Sequence, residues 1–168
     1  MKRPTLKQFI FETTIYDAPP ENKVWRAWND VGIATLTDLV ISSKHAHWNV
    51  TGPQFLPLHD LFEEVYVILS RHLDIIAERM VALNNHIDGR LQCAAKCTIL
   101  GSYDKPGNIS TGMDDAGIIL DRLEVMSGWI NDQLKATNEE DPITGNLMQD
   151  LGHQLDKLAW KLRATLLK

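Results

Sequence analysis

Cysteine is scarce in this 168-residue chain, with only Cys93 and Cys97 present. Two are too few for a disulfide framework, which points to a reducing compartment. No apolar run approaches the roughly 18 residues needed to cross a bilayer, so no membrane helix is expected. Residues 1–7 are basic but are not followed by an uninterrupted apolar stretch and a small-residue cleavage site. No secretory signal is therefore expected, and the cytoplasm is the expected location. Excess positive charge is also lacking: 17 Lys and Arg against 22 Asp and Glu leave a net −5. That argues against a surface devoted mainly to nucleic acid. No Walker loop, GxGxxG, GxSxG, CxxC or HExxH occurs, so the commonest nucleotide, hydrolase and zinc signatures are excluded. What is present is ordinary for a globular protein, 44% hydrophobic and 23% charged, and long enough for one domain with a core of its own.

Four long stretches carry a period near 3.6, and none of comparable length alternates with period 2. The first covers about 21–50, with Pro19-Pro20 just before it and Gly52-Pro53 ending it. The second covers about 57–85 and carries Leu58, Leu61, Phe62, Val65, Leu69, Leu73, Ile76, Met80 and Leu83 on one stripe. Residues 86–112 are rich in glycine and leave room for one short helix around 90–98. Thr111 followed by Asp114 reads as a capping box opening a third long helix. Asp141-Pro142 opens the fourth, an N-cap acid followed by proline at N1. The expected fold is all-α: a four-helix bundle with a short extra helix in the crossover between helices two and three. Residues 1–20 are expected to form an N-terminal tail on a single domain spanning 1–168.

The candidate chemistry lies in imidazoles and carboxylates at helical spacing. His47 is near the end of helix one; His59 and Glu63 are four apart on helix two, as are Asp74 and Glu78. Either pair alone reads as solvated surface. Together they fall at about 0°, 40°, 60° and 100° around one helix, a single face bordering the apolar seam. Ionisable groups there are costly unless paired or metal-bound. His59 and Asp74 are nevertheless about 22 Å apart along the axis, so no small site holds both. Two copies of the helix packed antiparallel, crossing near Ile68 and Leu69, would set His59 and Glu63 of one chain against Asp74 and Glu78 of the other, twice per dimer. Imidazole and carboxylate suit Fe(II), Mn or Zn. The E-x-x-H motif that builds a di-iron site inside one bundle is missing, which favours the shared arrangement.

The run Lys44-His45-Ala46-His47-Trp48-Asn49-Val50-Thr51-Gly52, then Phe55, Leu58-His59, Asp74 and Ala77-Glu78-Arg79, resembles the Dps family of mini-ferritins. The likeness extends to residues 155–160, Leu-Asp-Lys-Leu-Ala-Trp, in the last helix. The resemblance implies a ferritin-like bundle and a dodecameric shell with iron as its metal. The activity implied is a ferroxidase that oxidises Fe(II), preferably with hydrogen peroxide, and stores ferric mineral, protecting against oxidative damage. It implies His47 and His59 as ligands from one chain, with Asp74 and Glu78 from the partner across a two-fold interface. Where the family usually has aspartate this chain has Glu63, which keeps the carboxylate but reaches one methylene further. Trp48 matches the family tryptophan that supplies an electron beside the centre, although a packed aromatic at a helix end would also account for it.

The alternative function is non-specific DNA binding that compacts the nucleoid, with weak or impaired ferroxidase activity. Its phosphate contacts would come from the basic termini: Lys2, Arg3 and Lys7, and Lys161, Arg163 and Lys168. Asp121 and Glu139-Glu140-Asp141 are candidates for acidic iron-entry pores, the latter also reading as a solvated turn. His45 is rotated about 200° from His47 and cannot share its ion. His72, His86 and His153 read as surface or hydrogen-bonded histidines, and Cys93 and Cys97 as small core residues, with a soft-metal or redox role as the alternative. Arg79 and Asp156 are expected to form an interface ion pair.

Overall fold

A computed structural model describes residues 27–103 and 111–167. The expected tail at 1–20, and the start of the first helix at 21–26, lie outside them. Among the described residues five α-helices follow in order: α1 Ile33–Asn49, α2 Phe55–Ala82, α3 Leu91–Cys97, α4 Gly112–Glu140 and α5 Pro142–Leu166. A π-helical turn, Trp28–Gly32, leads directly into α1. Helices α1 and α2 pair as one hairpin, α4 and α5 as the other, and α3 sits in the crossover against α1. Among the described residues no strand is present, and no helix is long and apolar enough to cross a membrane.

Each boundary has a local cause. Thr111 accepts a hydrogen bond from the Asp114 N–H while the Asp114 carboxylate accepts from the Thr111 N–H, the reciprocal box expected at the start of α4. Asp141 alone connects α4 to α5; its carboxylate accepts from the N–H groups of Ile143 and Thr144, and Pro142 occupies the turn whose donor is not needed. Helix α2 starts two residues before Pro57, because a proline in the first turn removes only an unpaired N–H. It stops at Ala82, earlier than the apolar stripe implies. Asn84 takes a left-handed φ of 60°, and the N–H groups of Asn84 and Asn85 bond the carbonyls of Val81 and Met80. That closes the helix as a Schellman turn with asparagine in the usual glycine position.

The core runs the length of the bundle. Leu36 and Leu39 meet Leu58, Phe62, Val65 and Leu69 from α2, with Ile119, Leu123 and Met126 from α4 and Leu151, Leu155 and Leu158 from α5, all fully buried. Trp28 meets Trp129 edge to face at 4.9 Å and donates its indole N–H to the Met148 sulfur at 3.2 Å. Gly32 lies under these rings, where any Cβ would collide with Trp28 and Trp129. The crossover is fastened by Asp38 on α1, which accepts from Thr98 at 2.9 Å, Ser42 at 3.1 Å and Arg122 at 3.2 Å. Arg122 also bonds the Gly101 carbonyl.

Candidate metal centre

The turn at residues 50–54 brings the end of α1 beside the start of α2. Gly52 makes that reversal at φ 98°, a conformation side chains strongly disfavour. His47 and His59 consequently stack, with ring centroids 3.8 Å apart and planes 26° from parallel. Each ring bonds the other residue's backbone: His47 Nδ1–H donates to the His59 carbonyl at 2.9 Å, and His59 Nδ1–H donates to the His47 carbonyl at 3.0 Å. Because a carbonyl can only accept, both protons are placed on Nδ1. Both Nε2 lone pairs are therefore free to bind a metal, with the rings already oriented. Phe55 stacks on the outer side of His59 at 5.1 Å.

Glu63, one turn after His59, reaches this pair: its carboxylate lies 3.5 Å from His47 Nε2. It also accepts a short bond from the Lys44 ammonium, which sits 4.5 Å over the Tyr66 ring. The Lys44 hydrogen bond, with the charge of its ammonium, outweighs burial and holds the Glu63 carboxyl below its ordinary range. It is an anion ready to meet a cation, with an internal cation already in place. The sequence pattern contains Lys44 but gave it no role. Its spacing of 19 residues from Glu63 becomes proximity only when the α1–α2 hairpin closes.

Asp74 and Glu78 are exposed about three and four turns beyond Glu63 along α2. Asp74 lines an open groove of about 650 Å³ between α1 and α2, with Ile33, Thr37, Tyr66, Val67 and Ser70. One chain thus gathers His47, His59 and Glu63 and holds Asp74 and Glu78 apart. Among the described residues, no three of His, Cys, Asp or Glu are placed to hold an ion by themselves. At the level of the expected crossing, Leu69 is fully buried in its own core and Ile68 is half-buried. Val67, at about 80° on the wheel that carries the four candidate ligands, is 53% exposed beside them. Trp48 is 69% exposed and Ile41, Phe55 and Leu56 are also exposed, so an apolar band accompanies the half-sites.

Other candidates resolve differently. His45 is exposed and meets Tyr103 edge-on at 5.1 Å, apart from His47 and His59. Within the single chain Arg79 is not paired with Asp156, which leaves the interface pair untested; its guanidinium grips both oxygens of Asp141 at 2.9 and 3.0 Å. Asp156 instead accepts from Ser127 at 2.8 Å. The Arg79 contact takes Asp141 out of the acidic cluster and leaves Glu139, Glu140 and Asp121 exposed. Of the basic termini, Lys2, Arg3, Lys7 and Lys168 lie outside the described residues, while Lys161 bonds Glu64 and Arg163 bonds Glu124.

The comparisons agree with this architecture. A family model described as a ferritin-like domain matches residues 33–168. A DNA protection during starvation protein of Agrobacterium fabrum is 33% identical over 79% of this chain and 81% of its own length. The solved structure of Dps from Microbacterium arborescens in its high-iron form superposes with a TM-score of 0.77. It is 26% identical, covering 85% of this chain and 92% of its own. The Dps of Vibrio cholerae, described as a member of the ferritin-like diiron-carboxylate superfamily, gives a TM-score of 0.78 at 27% identity, over 86% and 89% of the two chains.

Proposed function

Since the chain belongs to the ferritin-like Dps family, we propose that it is a ferroxidase and iron store whose centre is completed between two subunits. His47, His59 and Glu63 bind Fe(II) from one chain, with Asp74 and Glu78 of the partner subunit supplying the remaining carboxylates. The reading rests on the reciprocal histidine clamp, which presents two Nε2 lone pairs beside an anionic Glu63. The exposed apolar band around Trp48, Phe55 and Val67 supports contact with a second copy, because apolar groups gain most from being covered together.

Neutral imidazoles admit Fe(II) without charge repulsion, and clustered carboxylates favour the more highly charged Fe(III). Hydrogen peroxide accepts one electron from each of two Fe(II) ions; its O–O bond breaks, and two protons convert the oxygens to two waters. Paired oxidation avoids the single-electron step that releases hydroxyl radical. Trp48, adjacent to His47 and facing outward, supplies an electron when only one iron is present. Twelve chains enclose the ferric product as mineral, which makes the assembly protective.

Anaerobic titration with Fe(II), followed by peroxide, tests the reading. Oxidation of about two irons per peroxide, with the product held in soluble protein, is the expected result. The His47→Ala, His59→Ala double variant loses the fast phase. An unchanged rate in that variant refutes the assignment.

A further inference from the structure

Helix α3 contains a feature that plays no part in the iron chemistry. Cys93 and Cys97 are reduced and half-buried, one helical turn apart on one face, with their sulfurs 3.8 Å from each other. The helix is fixed in place: Ala94 is buried, and the Thr98 hydroxyl bonds Asp38 of α1. The spacing of the thiols is therefore set by the backbone and does not depend on loop flexibility. Two thiolate–metal bonds of about 2.3 Å, the length thiolate makes to zinc, would meet at a bent angle across 3.8 Å, and the near-linear pair that a two-coordinate soft ion favours needs the sulfurs to part by about 0.8 Å. No third His, Cys, Asp or Glu is gathered there among the described residues, so a four-coordinate protein cage is not built. Two soft ligands and no hard ones select a soft ion satisfied by two bonds.

We infer that Cys93 and Cys97 form a binding site for one Cu(I)-class cation per chain, held between two thiolates. Binding deprotonates both thiols, releases two protons and leaves the pair with one net negative charge. The guanidinium of Arg90, one turn before Cys93, is near enough to favour the Cys93 thiolate, although Asp88 opposes it. Burial and the Cys97 contact raise the Cys93 thiol to about 11. Without metal it is therefore protonated and a poor nucleophile near neutral pH, and a metal must displace its proton. The site stands independently of the iron reading.

The test uses reduced full-length protein, Cu(I) under nitrogen and a chromophoric Cu(I) chelator in competition. The expected result is one Cu(I) retained per chain, with a thiolate-to-copper ultraviolet band. The His47→Ala, His59→Ala variant should keep both, while the Cys93→Ser, Cys97→Ser variant should lose both. Bound copper should also protect the two thiols of the native chain from iodoacetamide, read by mass spectrometry without any substitution, and retention should weaken as pH falls. Equal copper retention by the double serine variant, or undiminished alkylation of the copper-loaded native chain, overturns the inference.

Discussion

One imidazole away from the candidate metal centre carries a readable acid response. His72 is buried on α2, and burial lowers its pKa from the ordinary 6.5, with Arg71 acting in the same direction and Asp150, 3.9 Å away, opposing. The folded chain therefore holds His72 neutral where the unfolded chain binds a proton. Stability from this residue is complete above the unfolded value of 6.5 and is lost as pH falls below it. Chemical denaturation of the native chain at pH 7.5 and 5.5 should show a larger loss than in His72→Gln. Equal losses would assign the acid sensitivity to other groups. Its burial departs from the surface or hydrogen-bonded histidine expected from the sequence, because it sits between Leu69 and Ile76 on the face that α2 turns into the bundle. Lys44 shows a similar limit: its contact with Glu63 joins two helices, and single-helix spacing is blind to it.

Among the elements, the α4–α5 junction concentrates the most roles in one side chain. Asp141 caps α5, accepts the Thr144 hydroxyl at 2.5 Å and binds Arg79 with both oxygens. Burial alone would raise its pKa, but the bonds from Thr144 and Arg79 outweigh it and leave the carboxyl lowered. Its contribution is present above the ordinary carboxyl range and is lost as pH falls through the lowered folded value. Asp141→Ala should cost about 2–3 kcal/mol, combining a lost cap with an unpaired, partly buried guanidinium. Asp141→Asn keeps the cap and should cost about half of that. Denaturant midpoints of the two variants check both values, and equal losses would show that the cap contributes nothing. The cap was legible because Asp-Pro is a local signal. The Arg79 contact was not, since Arg79 and Asp141 are 62 residues apart and only the bundle brings them together. The π-helical turn at Trp28–Gly32 was equally hidden, because it depends on how Trp129 packs.

For the whole molecule, the legible part was the wheel position of His59, Glu63, Asp74 and Glu78. The observed separation of the two half-sites follows from the rigid rise of one helix. What periodicity did not single out was Val67, because the exposure of an apolar residue at that point of the wheel emerges only once the helices are packed. A shared centre makes a prediction that a self-contained one does not. His59→Ala and Asp74→Ala chains should each be inactive when assembled alone. Assembled together from equal amounts, they should regain about a quarter of the sites, because half the dimers are mixed and each mixed dimer has one intact centre. Stopped-flow iron oxidation on the co-assembled sample measures this directly. No recovery would place the acids and imidazoles in separate sites.

The crossed bonds between His47 and His59 also bear on how the chain comes to be ready for a cation. Each ring clips the opposite strand of the hairpin, so zipping the two rods into register and aiming both lone pairs are one event. A slip of a single residue along either rod would unclip both imidazoles at once. Any readiness of this pair to receive an ion is therefore inherited from folding, with both rings already held in place.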